Sequence, residues 1–384
     1  MLRITQRRLL PHISQVTFYS TKARPDLHNL LPKKKTFNRI LFDYDSRLSY
    51  KKIIPILETV YKNLDAPENI MLPKYVKSYD LMVFKNVLAT LRTTTNSINE
   101  NLVDLENELV EQAAELGDSD AIAILAFETI EKRIKDKNSV SSEDYKYAND
   151  LIKELTAIKH PLVFKLGGDL AFKRGYHKQA EQYWLQFVEL EPYTIEASHV
   201  YSNLGLYYFT YQSPTPDLAR AKVYFEKSIK FGEIDKSTIQ AHFYLGQLHV
   251  STHPLTAKYH WEISAARGLK ESFPSLGFLE MNVFQNYKKS IEWFKLGVEA
   301  TNDVSCMIGQ FDCYLKLDDY KSAFNTLTKL TSIHDQIKKI KSGSLKVPSM
   351  SKSIQDSMDV NESLLNLFFT TRELEIRQAS SKIA

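Results

Sequence analysis

The chain has 384 residues, 43% of them hydrophobic, with only 12 glycines and 13 prolines against 21 tyrosines and 20 phenylalanines. That much apolar material excludes a disordered chain, and few helix breakers among many aromatics favour stacked helices whose gaps the rings fill. The formal charge is +4, but Arg3, Arg7, Arg8, Lys22 and Arg24 stand in the first 24 residues without an acid, and the remainder sets 45 basic residues against 46 acidic ones; a body so near neutrality argues against the clustered cationic footprint of a nucleic-acid binder.

Residues 1–24 have the composition of a mitochondrial presequence, with Arg3, Arg7 and Arg8 interleaved with Leu2, Ile4, Leu9 and Leu10. Such a cationic amphipathic helix suits an apolar receptor groove and is drawn across a membrane that is negative inside. The competing reading is a basic tail. No apolar stretch suits a secretory signal, and none approaches the ~18 residues of a membrane-spanning helix. Any membrane association is therefore expected to be peripheral. Lys33-Lys34-Lys35 opens a basic patch.

Residues 25–104 read as an N-terminal helical region, with helical spacing at Leu81, Phe84, Val87, Leu88 and Leu91 and with Pro55, Pro67 and Pro73 as punctuation. Residues 105–335 carry a recurring pattern. A small residue is followed four positions later by an aromatic at Ala180/Trp184, Ala221/Phe225, Ala257/Trp261 and Ser290/Phe294, and Ala323/Leu327 continues it with an aliphatic. A glycine precedes each: Gly168, Gly205, Gly246, Gly277 and Gly309. The pattern predicts helix hairpins in which the glycine admits its partner helix closely and the aromatic covers the gap. Trp184, Trp261 and Trp293 are expected in the core. Residues 212–217 lengthen one intra-hairpin loop. Residues 336–353 read as a Ser- and Lys-rich linker. Residues 354–384 are expected to hold a final helix that caps the array, or else binds a partner or a membrane surface.

These repeats resemble tetratricopeptide repeats from Gly168 through Gly175, Ala180 and Trp184 to Pro192. They resemble Sel1-like repeats at Ala257-Lys258, Trp261, Ala265-Ala266 and Gly268, and at Ala113-Ala114, Gly117, Ala121 and Leu125. The expected fold is all-α: a helical-hairpin repeat solenoid of the tetratricopeptide/Sel1-like kind behind an N-terminal helical domain. In such repeats the first helix of each hairpin lines a concave face. Counted from the glycines, Lys165, Asp169, Lys173, His199, Ser202, Gln240 and Gln247 are the candidate partner-binding residues, against a reading of each as ordinary solvated surface.

No phosphate-binding loop, zinc-ligand spacing or nucleophile elbow is present. Cys306 and Cys313 lie seven apart on one helix, roughly 10 Å along its axis, too far for a disulfide. They are expected as reduced core thiols. His249 and His253, four apart, are a poor metal pair because Pro254 follows at once. No catalytic residue, cofactor or metal is assigned, and an enzyme is the least favoured class.

Four stretches resemble a fungal family of mitochondrial tetratricopeptide proteins required for export of cytochrome c oxidase subunit II across the inner membrane: Leu31 to Tyr50, Val87 to Thr93, Ala113 to Phe127 and Leu276 to Glu299. The resemblance implies a non-enzymatic assembly factor, peripheral on the matrix side of the mitochondrial inner membrane. It implies subunit II as client, an Oxa/YidC-type insertase as partner, and no nucleic acid. The alternative from repeat architecture is a mitochondrial RNA-binding or translation factor, since hairpin repeats also read RNA.

Overall fold

The computed structural model describes residues 24–94, 99–344 and 351–382. The presequence expected over 1–24 lies outside the described residues except for Arg24. The described residues form helices and turns without strands, and the chain divides into two compact units, residues 1–190 and 191–384.

The first unit holds α1 (Leu27–Leu30), α2 (Lys34–Asp43), α3 (Tyr50–Lys62), α4 (Ser78–Thr94), α5 (Glu100–Glu115), α6 (Ser119–Lys135), α7 (Ser142–Ala157), α8 (Pro161–Lys173) and α9 (His177–Leu190). Pro55 does not punctuate: it sits inside α3, where buried Ile53, Ile54, Ile56 and Leu57 outweigh the lost backbone hydrogen bond. The border expected between residues 104 and 105 is likewise absent. Helix α5 runs through it, because Leu102, Leu105 and Leu109 form one apolar face that joins Phe84, Val87 and Leu88 of α4 in a single core. Helices α4/α5, α6/α7 and α8/α9 pair as hairpins. Gly175, at φ +80°, turns the chain from α8 into α9 in the left-handed conformation that glycine adopts without strain.

The second unit holds α10 (Ile195–Leu206), a π-helical turn (Tyr207–Tyr211), α11 (Leu218–Phe231), α12 (Lys236–His249), α13 (Pro254–Ala266), α14 (Ser272–Asn282), α15 (Tyr287–Thr301), α16 (Val304–Lys316), α17 (Tyr320–Lys341), α18 (Lys352–Thr371) and α19 (Glu373–Ser381). Four hairpins follow in order, α10/α11, α12/α13, α14/α15 and α16/α17, with α10 on α12 and α14 on α16.

The glycine rule is visible atom by atom. A Cβ on Gly168, Gly205, Gly246 or Gly277 would lie 2.3–2.5 Å from the ring of Trp184, Phe225, Trp261 or Phe294 respectively, so each glycine is the floor on which its hairpin's aromatic rests. Gly309 departs from the expected pairing. Its neighbour is Phe294 of the preceding hairpin, at 2.4 Å from such a Cβ, so Phe294 is gripped between Gly277 and Gly309. That ring already fills the place at Gly309, and the last hairpin carries Leu327 at its own aromatic position. Trp184 and Trp261 are buried, but Trp293 is only half-buried against Phe273, because its neighbour Phe294 takes the repeat's core position.

The C-terminal end also differs from expectation. Helix α17 continues to Lys341 through the first residues of the expected linker, since Leu330 and Ile337 keep burying at helical spacing and Lys338, Lys339 and Lys341 suit the negative end of the helix dipole. The single final helix is two helices, broken at Arg372. The Arg372 guanidinium forks onto Asp312 of α16, at 2.8 Å to each carboxylate oxygen, which draws the chain out of line there. Leu365, Phe368 and Ala379 join Phe311, Ala323 and Leu330 in one buried cluster, so α18 and α19 cover apolar surface of the last hairpin. Cys306 and Cys313 are buried and unpaired.

Candidate functional site

The seven candidate residues fall in two places. Lys165, Asp169 and Lys173 follow one another at four-residue spacing on α8 in the first unit. His199 and Ser202 on α10, with Gln240 and Gln247 on α12, belong to the second.

Several of them are engaged within the fold. Asp169 accepts the Trp184 indole N–H at 3.0 Å, so its carboxylate anchors the ring that Gly168 supports. Lys173 is exposed and pairs with Glu131 of α6 at 2.9 Å. Ser202 is buried, not lining an open face, and donates to the Ser237 carbonyl at 2.9 Å across the α10–α12 contact. The reason is the crossing of the two helices, which brings the α12 amino end over this small side chain.

His199 bonds the Asp235 carboxylate, which caps α12 by accepting from the backbone N–H groups of Ser237 and Thr238. Burial works against the Asp235 anion, yet the Thr238 amide, His199 and the Ser237 amide together hold its carboxyl below the usual range. Ser202 and His199 are thus joints between successive hairpins. Lys165, Gln240 and Gln247 are half-buried at the surface.

The surface around Gln240 and Gln247 is aromatic. Phe209 lies 5.0 Å from Tyr244, which stacks on Phe225 at 5.3 Å and meets Phe243 at 5.5 Å edge to face. Burial is the largest influence on the Tyr244 hydroxyl and raises its pKa, with Gln240 hydrogen-bonded to it in opposition. Phe209 and exposed Tyr211 project from the π-helical turn that ends α10, where Gln212 N–H reaches the Tyr207 carbonyl at 2.9 Å. Wide turns of this kind re-aim the side chains that follow them. The 212–217 loop is pinned behind them, Asp217 N–H donating to the Tyr208 carbonyl at 3.0 Å. Glycine counting pointed to the glutamines and missed Phe209, Tyr211 and Tyr244. The sequence signal was the unbroken run Tyr207-Tyr208-Phe209-Thr210-Tyr211 ahead of the insert.

The histidines of α12 and α13 form a cluster beside this surface. His242 and His260 share a hydrogen bond between their Nδ1 atoms at 2.8 Å, His249 stacks on His260, and His253 meets His249 edge to face. Burial, then the neighbouring His242 and His249, push His260 down to about 4, and burial lowers His242 and His249 as well. No group of three or more potential ligands among the described residues is arranged to hold a metal ion. Burial likewise pushes Cys306 up to about 12 and raises Cys313, so neither thiol is activated.

The comparisons with known proteins decide the family. The chain is 38% identical over 328 residues to "Protein MSS2, mitochondrial" of Saccharomyces cerevisiae, a match covering 84% of this chain and 92% of the yeast protein. The chain belongs to the MSS2 family. The MSS2 N-terminal domain matches residues 23–118, so within the MSS2 fold that domain takes in α1 to α5 and ends in the turn before α6. Among solved structures the chain is similar to PilW, a type IV pilus biogenesis factor, at 16% identity and TM-score 0.38, covering 56% of this chain and 92% of that one. It is also similar to a Sel1 repeat protein from Oxalobacter formigenes at 17% identity and TM-score 0.36, covering 56% and 90%. The aromatic surface of α10 and α12 lies beyond the matched MSS2 N-terminal domain, on the hairpin repeats.

Proposed function

We propose that this MSS2-family chain is a non-enzymatic mitochondrial assembly factor that holds the C-terminal domain of cytochrome c oxidase subunit II while that domain is moved across the inner membrane. It works on the matrix side, peripherally attached, beside an Oxa/YidC-type insertase. The observation that carries the reading is the 38% identity extending over 92% of a mitochondrial yeast protein. The structure supports it with a surface suited to holding an extended chain: half-buried rings, Phe209 and Tyr244, flanked by amide side chains, Gln240 and Gln247. Rings give contact area at small entropic cost and amides adapt their hydrogen bonds to a varied client. Several weak contacts of this kind allow later release. No helix of the described residues is long and apolar enough to cross a membrane, which fits attachment at a surface.

Photoreactive residues placed at Thr210, Gln240 and Gln247 in isolated mitochondria test the reading. Labelling of newly made subunit II is expected. Labelling of a mitochondrial transcript instead would transfer the surface to an RNA-binding role, and labelling of neither would remove the proposed client from this face.

A further inference from the structure

The near-neutral balance of the chain conceals a local cluster of positive charge at the amino ends of α2 and α3. Lys33, Lys34, Lys35, Arg39, Lys51, Lys52, Lys74 and Lys77 are all exposed. The ion pairs formed among the described residues of this region belong to Arg24, His28, Arg47 and Lys62, and none of the eight cations takes part in one.

Contacts make the cluster continuous. The Lys34 ammonium lies 5.7 Å from the centre of the Tyr50 ring, the first residue of α3, and Lys51 and Lys52 follow it. The Lys52 ammonium lies 5.6 Å from the centre of the Tyr75 ring, between Lys74 and Lys77. Both helices also begin here without a side-chain cap, at Lys33 and Ser49, so their open backbone N–H groups add to the positive potential. Of the acids near these cations in sequence, Asp43 and Asp45 fall at and beyond the last turn of α2, Asp26 caps α1, and Asp80 is buried against Arg47.

Two exposed apolar side chains belong to this part of the chain. Phe42 and Met71 are each 85% exposed, the most exposed large hydrophobics among the described residues. Phe42 shares a helical face with Arg39 and Lys35, three and seven residues before it on α2, and Met71 lies in the non-helical stretch that leads to Tyr75. Unpaired cations beside protruding apolar side chains are the requirement of an anionic lipid surface: headgroup phosphates take the ammonium and guanidinium groups while the apolar tips enter the acyl boundary.

We infer that the face built by Lys33, Lys34, Lys35, Arg39, Phe42 and Lys52 binds anionic membrane lipid directly. The inference deepens the peripheral attachment proposed above and rests on that reading for its cellular setting, but its chemistry is testable on the purified chain alone. A lysine or arginine held near an anionic surface changes partitioning by about fivefold. Losing three of them therefore weakens binding by roughly a hundredfold.

The test is flotation of the full chain with phosphatidylcholine vesicles, with and without phosphatidylglycerol, across a salt titration. Three variants are compared: Lys34→Gln/Lys35→Gln/Arg39→Gln on α2, Phe42→Ser, and Arg3→Gln/Arg7→Gln/Arg8→Gln in the expected presequence, the leader variant. The substituted positions on α2 are exposed, and unchanged circular dichroism and melting temperature confirm that each variant is folded. The inference expects binding to the anionic vesicles only, a roughly hundredfold loss in the α2 triple variant, a loss in Phe42→Ser that salt does not abolish, and retained binding in the leader variant. Equal binding to neutral vesicles, loss confined to the leader variant, or binding of a single-stranded RNA oligonucleotide in preference to vesicles would each overturn it. Direct lipid binding with normal export of subunit II on deletion would leave this inference standing and refute the client reading; normal client labelling with no vesicle binding would do the reverse.

Discussion

Two adjacent glycines of α8 make opposite predictions. A Cβ on Gly167 would meet Tyr183 at 3.6 Å, an ordinary contact, whereas one on Gly168 would lie 2.4 Å from Trp184 Cδ1 and 2.5 Å from its Nε1. Gly167→Ala should gain the helix preference of alanine, about 1 kcal/mol. Gly168→Ala gains the same but must push Trp184 aside by an ångström or more. Overpacking of that kind costs about 1–3 kcal/mol. The displaced indole also loses its hydrogen bond to the Asp169 carboxylate, at about 1.5–3 kcal/mol for a charged acceptor. The net expectation for Gly168→Ala is a loss of about 1.5–5 kcal/mol. At about 2–4 °C per kcal/mol for a unit of this size, the two midpoints should separate by on the order of 10 °C. Thermal unfolding followed by circular dichroism and tryptophan fluorescence measures it. Shifts of the same sign and size in both variants would refute the claim that the repeat glycines exist to seat the aromatics.

Four other outcomes are expected. The His242–His249–His260 cluster is held neutral by burial, so the unfolded chain, titrating near 6.5, takes up protons that the native fold refuses; stability is complete above that pH and falls on acidification toward about 4. His260→Gln should flatten the pH dependence of urea unfolding between those values. Glu280 is buried against Lys258 at 2.7 Å; Glu280→Ala should cost about 2–4 kcal/mol, while Glu280→Leu with Lys258→Met should recover most of it in denaturant midpoints. Arg372→Lys cannot reproduce the fork onto Asp312, and hydrogen exchange should accelerate in α18 and α19 while α10 to α13 keep their protection. Cys306 and Cys313, buried with raised pKa values, should resist a thiol reagent at pH 8 until the chain is unfolded; fast labelling of either would contradict their burial.

The hairpins were legible because their grammar is steric. Glycine, small residue and aromatic recur at spacings that only a close helix pair requires, and four of the five glycines meet the expected ring. The fifth shows the limit: that Phe294 would serve both Gly277 and Gly309 depends on how hairpins stack, which spacing within one hairpin does not encode. The same limit governed the candidate site. Counting along a first helix names the exposed side of an isolated hairpin, but the next hairpin lands on part of it, burying Ser202 and tying His199 to Asp235, the residue that caps α12. The border expected at 104/105 followed the onset of repeat-like sequence, while the core followed the apolar face of α5. Of the cationic face only Lys33-Lys34-Lys35 was legible as the opening of a basic patch; acids elsewhere in the sequence balance the rest in a charge count, and contacts such as Lys34 on Tyr50 and Lys52 on Tyr75 join its parts.

The most direct test of the proposed function is deletion of the gene followed by two separate measurements in isolated mitochondria: synthesis of subunit II, and protease accessibility of its C-terminal domain after the outer membrane is opened. The account predicts normal synthesis with the C-terminal domain protected on the matrix side. Lost synthesis, or normal synthesis with a fully accessible C-terminal domain, would contradict it.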